Sequence, residues 1–198
     1  MSEHSHITEC GLPGINRIPY GLHACHFYPG REQLVEALVP YFLAGLRAGE
    51  RCIWVAAPPL PADQAERELR AAWSGAGDAI ARGAVRILDF DHWYTGSAGF
   101  KGADVVVKLW LDEEERALAE GCTGLRLTGN TSFLAPKDWE KFMEYERIVS
   151  AGLQGRRIVA LCSYLLPDIS SEKVMEVMRA HGCTFDHPDT GWQVLATR

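Results

Sequence analysis

Short apolar runs alternate with longer amphipathic stretches along most of the chain. The apolar runs have the length and composition of buried strands, and they cover residues 21–28, 52–57, 85–90, 124–130 and 157–166. Helical spacing of apolar residues occurs in the stretches 31–48, 62–73, 103–120, 137–151 and 170–181. This alternation is typical of a mainly parallel sheet that is covered by helices on both faces. The closing segments 183–186 and 192–197 flank a His-Pro-Asp-Thr-Gly turn and predict an antiparallel hairpin.

Proline, glycine and serine positions refine these elements. Pro40 falls inside the first helix and is expected to bend or interrupt it, while Gly49 is placed to end that helix. Ser170 or Ser171 is placed to cap the last helix. Residues 1–17 show little periodicity and are interpreted as a flexible arm, and residues 18–198 as one domain.

Composition limits the classes of function. A chain of 198 residues with 47% hydrophobic residues can bury one large core. The net charge of −6 argues against direct binding of nucleic acid, which requires clustered Lys and Arg. The sequence has no apolar run long enough for a membrane span and no secretory signal, and several of its six cysteines lie in apolar runs. This pattern favours reduced thiols and a cytoplasmic location.

In parallel sheets, ligands bind beyond the carboxyl ends of the strands. His26, Tyr28 and Tyr164 are expected there, which makes them candidates for lining a ligand pocket. Trp93 and Tyr94 lie in a glycine-containing loop at the same edge, and we expect them to act as a lid.

A second group of candidate residues is expected inside the protein. Strand alternation places His23 and Cys25 on one face of the first strand and His26 on the other. Glu146 falls on the apolar stripe of its helix and therefore needs a buried partner. Arg126, on a central strand, is the expected partner, and the pair is either a structural brace or the floor of a polar pocket.

Several sequence blocks, in order, resemble one family. They are His23-x-Cys25-x-Phe27-Tyr28, the segment 38–45, Gly49-Glu-x-Cys-x-Trp-Val55, Trp93-Tyr94, the segment 124–130, Trp139 with Tyr145-Glu146, and Ala160-Leu-Cys-x-Tyr164. Together they resemble the MEDS domain, the sensory domain of the dichloromethane regulator DcmR and of methanogen and methylotroph histidine kinases. The resemblance implies a sensory, non-enzymatic module for a small organic or C1-type ligand. No output domain follows in this sequence, so a protein partner such as a kinase, an anti-sigma factor or a transcription regulator is expected, and a homodimer is an alternative.

A more distant resemblance is to the KaiC/RecA-type ATPase core, through the segment 42–55. The turn at 27–34 lacks the glycines and the Lys-Ser or Lys-Thr pair of a phosphate loop, and the segment 125–130 has no carboxylate for Mg²⁺. We therefore expect neither ATP and Mg²⁺ binding nor ATPase activity. The same resemblance places Cys162 beside Cys25, so that His23, Cys25 and Cys162 approach one point, a set suited to zinc or copper.

Three interpretations remain open for the function. The first is a non-enzymatic sensor of the RecA/KaiC-like α/β type that acts through a partner protein. The second is a metal- or thiol-dependent enzyme or metal sensor that uses His23, Cys25 and Cys162, against which stands the simpler interpretation of two core thiols and a structural histidine. The third is a degenerate nucleotide-binding protein with new phosphate contacts, such as Arg31 at a helix N-terminus.

Overall fold

The computed structural model describes residues 6–96, 99–132, 134–188 and 191–196. In chain order, its strands are β1 (Ile7–Glu9), β2 (Arg17–Pro19), β3 (His23–Tyr28), β4 (Arg51–Ala56), β5 (Val85–Asp89), β6 (Thr95–Gly96), β7 (Gly99–Phe100), β8 (Leu125–Asn130), β9 (Ile158–Leu165), β10 (Cys183–Asp186) and β11 (Gln193–Ala196). Its helices are α1 (Arg31–Arg47), α2 (Ala62–Ala72), α3 (Ala76–Ala81), α4 (Phe90–Tyr94), α5 (Ala103–Ala119), α6 (Trp139–Gly152) and α7 (Ser171–Ala180).

The main sheet has seven strands in the order β11-β10-β3-β9-β8-β4-β5. All neighbouring pairs in it are parallel except β10 and β11, which form the expected antiparallel hairpin at the C-terminal end. The prediction of a mainly parallel α/β sheet is therefore confirmed. No helix in the described ranges is long and apolar enough to cross a membrane.

Side chains from alternate strand positions enter the two sides of the sheet. Trp54 packs with α1, α2 and α3, whereas its neighbours Ile53 and Val55 pack with α5 and α6. Near the end of the sheet that carries β3, Cys162 and Tyr164 of β9 meet α6 and α7 in a smaller third cluster. The sheet is thus the middle of three layers, and the third cluster contains three of the candidate residues, Cys25, Cys162 and Tyr164.

The helix boundaries agree closely with the sequence pattern. Helix α1 ends next to Gly49, whose φ of +77° is the left-handed conformation expected at a helix stop. The α1 helix continues through Pro40, so the expected interruption does not occur. Ser170 caps α7 as predicted, because its hydroxyl accepts a hydrogen bond from the backbone N–H of Lys173 at 3.4 Å.

The structure differs from the prediction of a flexible arm at residues 1–17, of which residues 1–5 lie outside the described ranges. From His6 onward the segment forms the antiparallel β1–β2 hairpin, and Leu12, Ile15 and Ile18 are buried in the core. The sequence pattern failed here because the buried residues are spaced by turns and not by a regular period.

A buried ion pair holds this hairpin against the rest of the protein. The Arg126 guanidinium donates to the Glu50 carboxylate at 2.5 Å and also to the backbone carbonyls of Glu9, Cys10 and Tyr41. Glu50 accepts further hydrogen bonds from the hydroxyls of Thr8 at 2.5 Å and Tyr20 at 2.9 Å. Both charged side chains are fully buried, so their mutual pairing and these hydrogen bonds replace the water that they lose.

We expect Glu50→Gln to reduce the free energy of unfolding by about 3–5 kcal/mol, because it leaves the Arg126 charge buried without its counter-ion. Urea denaturation followed by circular dichroism measures this change. The matched control is Glu66→Gln, which removes an exposed i,i+4 pair with Arg70 and should cost less than about 1 kcal/mol. Equal effects of the two substitutions would show that the Arg126–Glu50 pair does not brace the fold.

Candidate functional site

Four side chains that can bind metals or exchange protons meet between the sheet and helices α6 and α7. They are His23 from β3, Cys162 from β9, Glu146 from α6 and His181, which directly follows α7. We call this set the His23 cluster. All four residues are buried, and one ligand atom from each lies within 4.8 Å of every other. Within the described ranges, no other group of His, Cys, Asp and Glu side chains converges in this way.

Strand pairing and helix spacing explain why these residues meet. Strands β3 and β9 are parallel neighbours with Cys25 opposite Cys162, and His23 lies on the same side of the sheet as both. Glu146 lies on the buried stripe of α6, beside Met143 and Val149. The sequence-based expectation that Cys162 lies beside Cys25 is therefore confirmed.

The Glu146 carboxylate is the centre of the cluster. Its Oε2 lies 3.1 Å from His23 Nε2, 3.4 Å from His181 Nε2 and 3.8 Å from Cys162 Sγ. Its Oε1 accepts a hydrogen bond from the Tyr164 hydroxyl at 3.0 Å. The rings of His23 and His181 lie 4.1 Å apart, and His23 Nε2 is also 3.3 Å from Cys162 Sγ. One carboxylate thus contacts two imidazoles, a thiol and a phenol in a site closed to water.

The outer nitrogens of both histidines are fixed by oxygen atoms. His181 Nδ1 lies 2.8 Å from the carbonyl oxygen of Val177, which can only accept a hydrogen bond, so Nδ1 carries a proton. His23 Nδ1 lies 2.6 Å from the Ser150 hydroxyl oxygen, and that hydroxyl donates its own proton to the carbonyl of Ala180. The Nδ1 of His23 is therefore a donor as well, so in both rings Nε2 is the nitrogen that faces the cluster.

Burial sets the protonation of these groups. It lowers the pKa of His23 to about 4, an effect that the neighbouring His181 increases. Burial alone would raise the pKa of Glu146, but its interactions with His181 and His23 outweigh this and hold it well below the usual range. Burial, and next the Glu146 charge, raise the pKa of Cys162 well above its ordinary value. At neutral pH, the cluster therefore contains a carboxylate, a neutral His23 and a protonated thiol.

Two expected contacts are absent from this site. The predicted Arg126–Glu146 pair is wrong: Arg126 pairs with Glu50, on the face of the sheet where the α1 helix packs, while Glu146 faces α7. Cys25 does not join the metal-binding group, because its Sγ lies 3.3 Å from Thr184 Oγ1 and 3.8 Å from the Cys183 carbonyl oxygen. The two errors have different origins. Alternation did not show that α6 covers the face opposite Arg126, and for Cys25 it gave the face but not the direction in which the side chain turns.

Trp93 and Tyr94 lie in the core and not at its edge. The two side chains are 5% and 2% exposed, and their rings pack on Trp110 at 4.2 Å and 6.4 Å between centroids. The expected role as an exposed lid is therefore wrong for these side chains. Residues 97 and 98 of the same loop lie outside the described ranges.

Two clefts open at the carboxyl edge of the sheet. The first, of about 240 Å³, is the Tyr164 cleft, and it is lined by Thr131, Ser132, Leu134, Trp139, Tyr164, Leu165, Asp168, Ile169 and Lys173. The second, of about 640 Å³, is the β3 cleft, and it is lined by His26, Phe27, Tyr28, Pro29, Gln33, Glu36, Leu166, Val174, Met178, Asp186, His187 and Trp192. The structure therefore divides the predicted pocket residues between these clefts, the His23 cluster and the core.

One family of sensory domains matches most of the chain. Residues 22–182 match the model of the MEDS family, the methanogen/methylotroph, DcmR sensory domain. The chain belongs to the MEDS family. The match covers all four members of the His23 cluster and Tyr164. Comparison with curated protein sequences gives no significant match.

The fold of this MEDS domain is also that of a KaiC-like protein. A crystal structure of such a protein from the archaeon Pyrococcus horikoshii superposes with a TM-score of 0.56 over 94% of this chain and 83% of that one. At 15% sequence identity, the likeness concerns the fold alone. It confirms the distant similarity to the KaiC/RecA-type core.

The sequence pattern did not indicate His181 of the His23 cluster or Ser150, which contacts His23. His181 is the last residue of the helix predicted at 170–181 and Ser150 lies near the end of α6, and neither belongs to a motif. The available signal was helical spacing, because Val177 lies one turn before His181 on the buried side of α7.

His26 gives the MEDS domain a pH-dependent stability. Burial lowers its pKa from 6.5 to about 3, so the unfolded chain binds a proton between these values when the folded one does not. Stability should fall as the pH decreases through this window. The His26 contribution is about 2 kcal/mol between pH 8 and pH 5.

The measurement is urea unfolding at several pH values for wild type and for His26→Gln. The variant should show a flatter dependence of the free energy of unfolding on pH. His92→Gln, at a side chain that is 75% exposed, is the matched control and should keep the wild-type slope. A His26→Gln slope equal to that of wild type would contradict the prediction.

Proposed function

We propose that this MEDS domain is a non-enzymatic sensor that binds a small organic or C1-type molecule in the Tyr164 cleft and acts through a protein partner. The observation that supports this most directly is the double role of Tyr164. Its ring lines the cleft, and its hydroxyl is bonded to Glu146 in the His23 cluster. A molecule in the cleft therefore touches a side chain that is tied to the buried centre of the domain.

The shape and chemistry of the cleft fit a small ligand of mixed polarity. Leu134, Leu165, Ile169 and the aromatic rings supply apolar walls, while Asp168, Lys173 and two hydroxyl side chains supply polar groups. A volume of about 240 Å³ is below the usual range for drug-sized ligands, which begins near ~300 Å³. The β3 cleft, at about 640 Å³, is much larger than a C1-type molecule, so most of its volume would remain filled with water.

A route from the cleft to the surface also supports a regulatory role. Trp139 and Lys173 line the Tyr164 cleft and, on their other sides, a groove of about 790 Å³ between α6 and α7. The Lys173 ammonium lies 4.4 Å above the Trp139 ring, so the two side chains are in direct cation–π contact. A ligand that binds one arrangement of these two side chains more tightly than the other shifts the population toward that arrangement, by an amount set by the difference in affinity. Such a shift alters the surface of the groove that a partner would contact.

The environment of the cysteines argues against thiol catalysis. Reactive cysteines are accessible and have a lowered pKa. Burial instead raises the pKa of Cys25 to about 12, and Cys162 is raised well above its ordinary value. Both thiols are buried, so a substrate that arrives from solvent does not reach either of them.

The turn after β3 gives no support to nucleotide binding. Arg31 is turned toward α2, where it donates to Glu68 at 2.6 Å and to Gln64 at 3.1 Å. Its charge is therefore already paired at the place where a phosphate would need it. This favours the sensor over the degenerate nucleotide-binding protein.

A cleft-filling substitution tests the proposed ligand site. We expect wild type to bind at least one of three probes, dichloromethane, methanol or methylamine, in ligand-observed NMR titrations. Ile169→Trp should weaken that binding at least about tenfold, because the larger ring occupies the Tyr164 cleft. Melting temperature and circular dichroism report whether the variant is folded.

Val174→Trp is the matched control, because Val174 has similar partial burial but lines the β3 cleft. It should bind the probe as wild type does. Loss of binding in Val174→Trp with retention in Ile169→Trp would move the site to the β3 cleft. Turnover of a bound probe would contradict the non-enzymatic role.

A further inference from the structure

We infer that the His23 cluster is a metal site that holds one divalent ion of the zinc type through His23 Nε2, His181 Nε2, Cys162 Sγ and one oxygen of Glu146. The inference goes beyond the proposed sensor, because it assigns an ion to buried residues and not a ligand to the cleft. It stands or fails independently of whether the Tyr164 cleft binds an organic molecule.

The spacing of the four atoms is that of a coordination tetrahedron. Zinc bonds of about 2.0–2.3 Å at tetrahedral angles separate neighbouring ligand atoms by about 3.3–3.6 Å. The measured separations in the cluster are 3.1, 3.3, 3.4 and 3.8 Å, and the remaining pairs lie within 4.8 Å. Four of the six separations are already within about 0.2 Å of this range, and the other two, which are below 4.8 Å, need to shorten by about 1.5 Å at most.

The hydrogen-bond pattern leaves a place for a cation. The Nδ1 atoms of both histidines act as donors to Ser150 and Val177, so the two Nε2 atoms, 3.1 and 3.4 Å from the Glu146 carboxylate, are the ring nitrogens left to bind a cation. His181 Nε2 is buried and has no hydrogen-bond partner. A proton on one ring can bridge only that ring and Glu146, whereas one metal ion can bond to both rings, the Glu146 carboxylate and the Cys162 sulfur.

The outer contacts are those that metal-binding histidines usually make. Such a histidine donates its second ring N–H to an oxygen acceptor, which fixes the tautomer and aims the lone pair at the metal. Ser150 does this for His23, and the Val177 carbonyl does it for His181. His26, with its Nε2 bound to Ser163 at 2.7 Å, has no such arrangement around a shared point.

Charge and ligand type favour zinc over copper(I). On binding, the Cys162 thiol releases its proton to solvent and the thiolate bonds to the metal, with no change of oxidation state. The thiolate, the Glu146 carboxylate and a divalent ion then sum to zero charge, which suits a buried site. A carboxylate is a poor ligand for the soft copper(I) ion, whereas zinc accepts histidine, cysteine and carboxylate together.

The first measurement is the metal content of the untagged full chain, purified without chelators. Elemental analysis should give about one zinc per chain. After replacement of zinc by cobalt(II), the absorption spectrum should show a sulfur-to-cobalt charge-transfer band and the intense visible bands of a tetrahedral ion. X-ray absorption of the zinc form should show one sulfur at about 2.3 Å and three nitrogen or oxygen ligands at about 2.0–2.2 Å.

Cys162→Ser should lose the charge-transfer band, and His181→Ala should bind zinc more than about 100-fold more weakly, a larger loss than removal of a supporting contact causes. Cys25→Ser is the matched control, because this buried cysteine is bonded to Thr184 outside the cluster. It should keep the metal, the band and the affinity. Ile169→Trp should also keep the metal, which separates this test from that of the sensor.

Three results would overturn the inference. One is a wild-type chain that contains no stoichiometric metal and takes up neither zinc nor cobalt. Another is a bound metal with no sulfur ligand. The third is loss of the metal in Cys25→Ser as well as in Cys162→Ser. Stoichiometric copper(I) in place of zinc would overturn the choice of ion. The X-ray absorption measurement uses wild type, so it decides the question even where a variant does not fold.

Discussion

The burial of the Glu146 carboxylate is the constraint on how β3, β9, α6 and α7 pack together. A carboxylate removed from water must be matched by donors or cations. Here the match comes from the three elements that meet at this point, β3, β9 and the end of α7, through His23, Tyr164 and His181. Whatever moves α6 relative to the sheet or to α7 therefore disturbs these contacts.

A second buried carboxylate, Glu50, lies on the opposite face of the sheet and serves a different purpose. Arg126 neutralises it directly, and the backbone carbonyls of the N-terminal hairpin complete the guanidinium's hydrogen bonds. The absence of a side chain at Gly45 is required here, because a Cβ at that position would lie 2.5 Å from Arg126 Nε. The two carboxylates show how one sheet combines a structural ion pair on one face with a buried cluster of titratable side chains on the other.

The KaiC-like framework explains where the site lies but not what it binds. Parallel strands present their carboxyl ends at one edge, and both clefts open there. At the turn after β3, the one cation that begins α1, Arg31, is paired with Glu68, so the phosphate chemistry of the framework is missing. The MEDS family is described as a sensory domain, and in this chain residues of β9, α6 and α7 line the Tyr164 cleft at that edge.

The fold was largely predictable because hydrophobic periodicity is a local property. The seven strands of the main sheet and five helices, α1, α2, α5, α6 and α7, follow from the order of apolar residues. The short helices α3 and α4 do not, while the placement of His23 and Cys25 on one face follows from strand alternation. The N-terminal hairpin was not predictable, since its buried residues follow turn geometry and the location of Arg126. The resemblance to a known family supplied the pairing of β3 with β9, which no local pattern contains.

The sequence by itself determined the strands, the helices and the need of Glu146 for a partner, because burial is encoded in the stripe of a helix. Only the tertiary structure decided that the partners are His23, Cys162, Tyr164 and His181, and not Arg126. His181 is separated from Glu146 by a strand and a helix along the chain. Its place in the cluster depends on how α7 packs against α6, a matter of side-chain shape and direction that no spacing in the sequence records.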